Sequence, residues 1–177
     1  MNGDEKLDSP RRVPPEGRAS ARPVRSIYRR HPIHLPPMEA RNLSIIIFVT
    51  LCTARRQKIL ATPRAHEAIV NAWVFASTWL VGRYVILPDH FHFFCAPNSR
   101  EAASLEVWMR YCKSIATRNL GEPGGSLWQR HHWDRQLRKS ESYDDKWEYV
   151  RSNPVRHGLV SEADAWLYQG EMNELRW

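Results

Sequence analysis

A chain of 177 residues is the size of one ordinary domain with a real hydrophobic core and a short tail. Its 26 Lys and Arg against 19 Asp and Glu leave a net charge of +7 and a pI near 9.7, which favours a polyanionic partner because clustered cations gain by releasing phosphate counterions. The three cysteines, Cys52, Cys95 and Cys112, stand far apart inside apolar runs and exclude both a disulfide framework and a zinc ribbon. With no apolar leader and a longest apolar run (Leu43 to Cys52) far short of a bilayer, a cytoplasmic protein with reduced thiols and no membrane contact is expected.

Residues 1–40 hold 7 of the 12 prolines, with 8 Lys and Arg against 5 Asp and Glu and few bulky apolar side chains, a composition that reads as a flexible basic arm ahead of a domain at 41–177. From Asn42 a β-branched and aromatic run through Thr53 predicts a central strand buried on both faces and ending near Arg55. Thr62-Pro63 is a helix start, and Ile69, Ala72, Trp73, Ala76 and Leu80 then recur at helical spacing, so a helix closed by Gly82 is expected. Tyr84 to Leu87 reads as a strand, Pro88-Asp89 as a turn, and His90 to Ala96 as a second strand.

Leu105, Trp108, Met109, Cys112 and Ala116 predict a second helix stopped by Gly121, with a loop at Pro123-Gly124-Gly125 and a further short strand somewhere in Ser126 to Leu137. A third helix is expected from about Ser142 to Asn153, where Pro154 disfavours helical geometry. The order is strand, helix, strand, strand, helix, strand, helix, which makes an α+β sandwich of helices on an antiparallel sheet.

The residues that could carry chemistry lie in three places. In His90-Phe91-His92, strand alternation puts both imidazoles on one face, where they can share a cation, and sends Phe91 and Phe93 into the opposite layer. On the third helix Tyr143, Trp147 and Val150 form the apolar stripe, while Tyr149 sits roughly 120° away from it and Asn153 lies one turn beyond on the same side. Finally, Trp128, Arg130, Trp133, Arg135, Arg138 and Lys139 interleave aromatics with cations as single-strand-binding surfaces do, although core tryptophans among solvated cations would read the same way. Arg110 and Lys113 on the second helix are further candidate phosphate contacts.

Leu87-Pro88-Asp89-His90-Phe91-His92 and the segment from Tyr149 through Asn153-Pro154-Val155-Arg156-His157-Gly158-Leu159-Val160 together resemble the REP-associated tyrosine transposases, which belong to the single-tyrosine HUH nucleases. The resemblance spans residues 41 to 170 and includes Leu127-Trp128-Gln129, Trp133-Asp134 and Leu137-Arg138; it departs from the family at His157, where a small residue is usual, a position peripheral to the expected chemistry. It implies a ferredoxin-like sheet of the HUH type, a divalent metal, Mg²⁺ or Mn²⁺, on His90, His92 and Asn153, and Tyr149 as nucleophile. The implied reaction cuts and rejoins single-stranded or hairpin DNA through a 5′-phosphotyrosine, in a nucleoid-associated monomer or homodimer. Two other readings of the same residues are a binding module of this fold that cuts nothing and a metal-dependent nuclease that uses water.

Overall fold

The computed structural model describes residues 45–121, 127–138 and 141–176. The expected arm at 1–40, the loop at 123–125 and Lys139 lie outside the described residues.

Strand β1 (Ile47–Cys52) is central as expected. It pairs antiparallel with β3 (His90–Pro97) on one side and with the short β4 (Trp133–Gln136) on the other. Strand β2 (Trp79–Ile86) pairs with β3, and β5 (Gln169–Glu171) closes the far edge, giving the order β4-β1-β3-β2-β5, all antiparallel. The fold is α+β, with helices on both faces of this sheet.

Alternation along β1 and β3 divides the core into two layers. Ile47, Val49, Leu51, Phe91, Phe93 and Cys95 face α1 (Pro63–Phe75) and α2 (Leu105–Leu120). Ile46, Phe48, Phe94 and Ala96 face α3 (Tyr143–Arg151), whose Tyr143 and Val150 fill that layer. The sequence punctuation acts as expected at several ends: Thr62 and Ser104 cap α1 and α2 through their hydroxyls, and Gly121 ends α2 in the left-handed region at φ 72°. Cys95 and Cys112 are buried, and burial pushes the Cys112 thiol up to about 12, so both are inert core residues; Cys52 is only half-buried.

Three boundaries differ from the sequence expectation. Helix α1 stops at Phe75 rather than running to Gly82, because the indole of Trp108 donates to the Ala76 carbonyl at 2.5 Å and a turn at Ser77-Thr78 launches β2. Leu80 therefore belongs to a strand and faces the α3 layer, and Gly82 is a strand residue, present because a Cβ there would meet Leu175 and the Tyr143 hydroxyl at 2.7 Å. The third helix ends at Arg151; after Ser152 a short helix, α4 (Asn153–Arg156), begins, so Pro154 sits in the first turn of a new helix, where it needs no N–H. The strand expected within 126–137 shrinks to β4, preceded by an isolated bridge between Thr53 and Trp128. No described helix is long and apolar enough to cross a membrane.

Candidate metal and nucleophile site

Register places His90 opposite Cys52 and His92 opposite Thr50, on the α3 face of the sheet and at its β2–β3 turn end. The turn itself is pinned from β1: the buried Thr53 donates its backbone N–H and its hydroxyl to the Asp89 carbonyl at 2.9 and 3.0 Å. The two imidazole centres are 4.9 Å apart with planes nearly perpendicular. Two imidazoles bound to one ion through nitrogens about 2.1 Å away would have centres roughly 5 Å apart, so the spacing fits a shared cation.

Each ring is oriented by a neighbour on its Nδ1. Asp89 Oδ1 lies 2.6 Å from His90 Nδ1; a carboxylate can only accept, so the proton is on Nδ1 and Nε2 is bare. Thr50 Oγ1 lies 2.8 Å from His92 Nδ1, and the tautomer that donates to it likewise leaves Nε2 bare. Partners of this kind fix ring orientation in metal-binding histidines. Burial lowers the pKa of both rings, that of His92 to about 3; for His90 the Asp89 carboxylate opposes the shift, while Arg56 and His157 add to it. Both histidines are therefore neutral near pH 7, the form a metal takes.

Asp89 is held in turn by Arg56, whose Nε stands 2.8 Å from Oδ2 and whose Nη1 donates to Cys52 Sγ at 2.7 Å. Burial alone would raise the Asp89 pKa, but the hydrogen bond from His90 and the charge of Arg56 bring it below the ordinary value. Arg56 arrives there through an unusual turn: Arg55 and Arg56 have φ of 54° and 56°, a left-handed backbone uncommon for residues other than glycine. Nothing in the local sequence signals this turn, and Arg56 and Thr50 are among the site residues that the sequence alone does not single out.

Helix α3 supplies the other wall. Phe48 stacks on His92 with centres 5.5 Å apart, and Lys146 Nζ lies over the Phe48 ring at 5.2 Å and over the Tyr149 ring at 5.1 Å. Tyr149 is exposed, as its position off the apolar stripe predicts, and the Arg156 guanidinium covers its ring at 4.6 Å. A hydrogen bond from Arg156, its charge and that of Lys146 hold the phenol below its ordinary pKa. Asn153 is half-buried at the start of α4, four residues beyond Tyr149, and His157 lies four further on. The His157 ring centre is 6.0 Å from that of His90, so the line Tyr149, Asn153, His157 ends against the histidine pair and His157 is not peripheral. Among the described residues no three His, Cys, Asp or Glu side chains converge to hold a cation. A cation site on His90 and His92 thus needs a donor of another kind.

The interleaved aromatics and cations divide between two places. Trp128 is buried against Phe91, its indole bonded to Thr117 Oγ1 at 3.0 Å, so it packs as a core residue rather than as the expected exposed stacking platform, and only its edge borders the groove beside α2. Lys113 donates to the carbonyls of Gln129 and Arg130 at 2.9 and 3.2 Å, and burial lowers its pKa to about 8. With Arg110 and Arg130 it lines an open groove of about 350 Å³ on the α2 side of the sheet, the layer opposite the histidines. Arg135 is held by Glu141 at 2.5 Å, and Arg138 is exposed beside it. Trp133 and Arg135 share the histidine face, set opposite Thr50 and Phe48 by the β1–β4 register; Trp133 is partly exposed on the edge strand and packs edge-on against Phe48 at 5.7 Å.

No protein-family model matches the sequence. The chain is 25% identical over 128 residues to a REP-associated tyrosine transposase of Escherichia coli, covering 72% of this chain and 69% of the relative. It is 27% identical over 96 residues to a Haemophilus influenzae protein provisionally given the same name, covering 47% of this chain and 53%, about half, of that relative. Its fold is similar to the solved structure of a REP-associated tyrosine transposase bound to a REP hairpin, with a TM-score of 0.63, 22% identity and 81% of each chain covered.

Proposed function

We propose that this chain, which is similar in sequence and fold to REP-associated tyrosine transposases, cuts and rejoins single-stranded DNA at REP-like hairpins, with Tyr149 as nucleophile. The observation that carries this reading is the pair of neutral, oriented imidazoles on the face that the exposed Tyr149, ringed by cations, also borders. His90, His92 and the Asn153 amide would hold Mg²⁺ or Mn²⁺, imidazole favouring the softer ion and amide and phosphate oxygens suiting either. When bound, such an ion polarises a phosphate and neutralises charge developing on it.

The chain's own residues then have separable tasks. Asp89 and Thr50 hold each imidazole through its Nδ1, so the rings need little reorganisation as a phosphate arrives. Lys146 and Arg156 make the rim electropositive and draw in a polyanion. The Tyr149 phenolate oxygen attacks phosphorus, the bond from phosphorus to the 3′-oxygen breaks, and that oxygen takes up a proton. The protein is then joined to the 5′-phosphate of the downstream fragment, and the upstream 3′-hydroxyl is free to attack the phosphotyrosine, restoring the phenol and resealing a strand without ATP.

The test uses single-stranded oligonucleotides carrying the imperfect palindromes that neighbour the gene, labelled separately at each end and incubated with protein and Mg²⁺ or Mn²⁺. The expected product on denaturing gels is a protein adduct bearing only the 3′-end label, lost in Tyr149→Phe and in chelator. Free cut ends without an adduct, equally abundant with Tyr149→Phe, would establish the water-using nuclease; metal-independent binding with no cutting would establish the inactive module.

A further inference from the structure

Lys146 and Arg156 approach the Tyr149 ring from different elements, one turn before it on α3 and at the end of α4. On an unbroken helix residue 156 would lie about two turns beyond 149 on nearly the same side, within reach of a long guanidinium folding back. The other cations nearby are already paired: Arg151 with Glu148 and Asp164, and Arg56 with Asp89. Lys146 and Arg156 have no carboxylate partner among the described residues. Two cations converging on one exposed phenol, with no acid to neutralise them, form an arrangement that plain packing does not require.

We propose that Lys146 and Arg156 are a cation clamp on Tyr149 that holds the phenolate before attack and the non-bridging phosphate oxygens of the phosphotyrosine afterwards. This rests on the proposed function. A ring quadrupole attracts a cation weakly at an exposed site, whereas a phenolate carries a full charge, so the clamp strengthens as the proton leaves. After cleavage the charge moves from the phenol oxygen to the phosphate, and the guanidinium fork suits two phosphate oxygens at once. Lys146 also lies over Phe48, the ring that stacks on His92, so the clamp is joined to the histidine wall through a single side chain. The lowered pKa of the phenol agrees with this geometry: Arg156 contributes most, by hydrogen bond and charge, and Lys146 adds its charge. Both are positioning residues that act through Tyr149.

Two measurements test the clamp on the full-length protein, using Lys146→Gln, Arg156→Gln, their combination, and the charge-conserving Arg156→Lys. The first needs no DNA: the tyrosinate absorbance of each protein is titrated in chelator, and the matching Tyr149→Phe curve is subtracted to isolate Tyr149. The clamp requires Tyr149 to ionise at higher pH in the double variant, with Arg156→Lys close to wild type; a midpoint unchanged by the double substitution overturns it. The second is the single-turnover rate of adduct formation at saturating hairpin oligonucleotide, expected to fall about tenfold or more in the double variant and to recover in part with Arg156→Lys. An unchanged rate overturns the clamp. A wild-type protein that shows the titration difference but never forms an adduct removes the phosphotyrosine half of the clamp together with the proposed function, while the phenolate half stands.

Discussion

Asp89 Oδ1 accepts the Nδ1 proton of the adjacent His90 at 2.6 Å, and Arg56 fixes the other oxygen of the same carboxylate at 2.8 Å. The next histidine on the strand receives equivalent support from Thr50 across β1. The two rings are thus oriented from outside the site by a turn and by a neighbouring strand, and the Asp89 carboxylate leaves Nε2 of His90 bare.

A consequence can be measured without DNA. Removing an outer partner of this kind weakens metal binding by about 10- to 100-fold. Asp89→Ala should therefore lower Mn²⁺ affinity within that range by calorimetry, while the fold survives because Thr53 holds the turn through the Asp89 backbone carbonyl, which the substitution keeps. Wild-type affinity in Asp89→Ala would show that the carboxylate does not tune the site.

Acid should destabilise the metal-free protein through His92. Burial depresses its folded pKa from an ordinary 6.5 to about 3, so between those values the unfolded chain binds a proton that the folded chain refuses. Stability contributed by the neutral ring is fully present above about pH 6.5 and is lost as the pH falls toward 3, by at most about 1.4 kcal/mol per pH unit for one such group. His90, also depressed by burial, adds in the same direction. Urea unfolding in chelator at pH 7 and pH 5 should show this loss, and His92→Gln should flatten it; an equal slope in that variant would place the proton uptake elsewhere.

The fold class, the central strand and the shared face of His90 and His92 were legible because they depend on local alternation and on punctuation close in sequence. The end of α1 was not, since Leu80 also satisfies the helical spacing and the competing capping bond comes from Trp108, 32 residues away. Strand β5 is three polar and small residues whose only strand signal is the edge of β2 beside it. His157 looked peripheral because its neighbour His90 is remote in sequence, and Arg56 because its path depends on two left-handed residues that carry no glycine signal.

Gly82 offers a packing test of the corrected boundary. In a helix-ending role Ala would be tolerated or mildly unfavourable, but in β2 the added methyl meets Leu175 and the Tyr143 hydroxyl at 2.7 Å. The same hydroxyl accepts from the Arg83 N–H at 3.1 Å, so pushing it aside costs a hydrogen bond as well. Gly82→Ala should destabilise by about 1 to 3 kcal/mol in chemical denaturation. A neutral result would mean that α3 and the C-terminal segment yield at this contact.

The two tryptophans that sequence reasoning could not separate should behave oppositely. Trp128 is buried, packs edge-on against Phe91 and donates to Thr117, so Trp128→Ala opens a cavity and removes that hydrogen bond at a cost of about 3 to 5 kcal/mol. Trp133 lies partly exposed on the edge strand beside Phe48, on the histidine face, where a base can stack at about 1 to 3 kcal/mol. Trp133→Ala should accordingly weaken binding of single-stranded oligonucleotide by roughly 5- to 150-fold, the equivalent of that energy, with little change in denaturation midpoint. Fluorescence anisotropy and urea titration on the same two variants separate the effects. Should Trp133→Ala bind DNA as tightly as wild type, the edge strand is not a stacking surface, and the polyanion is held through the cations of the rim alone.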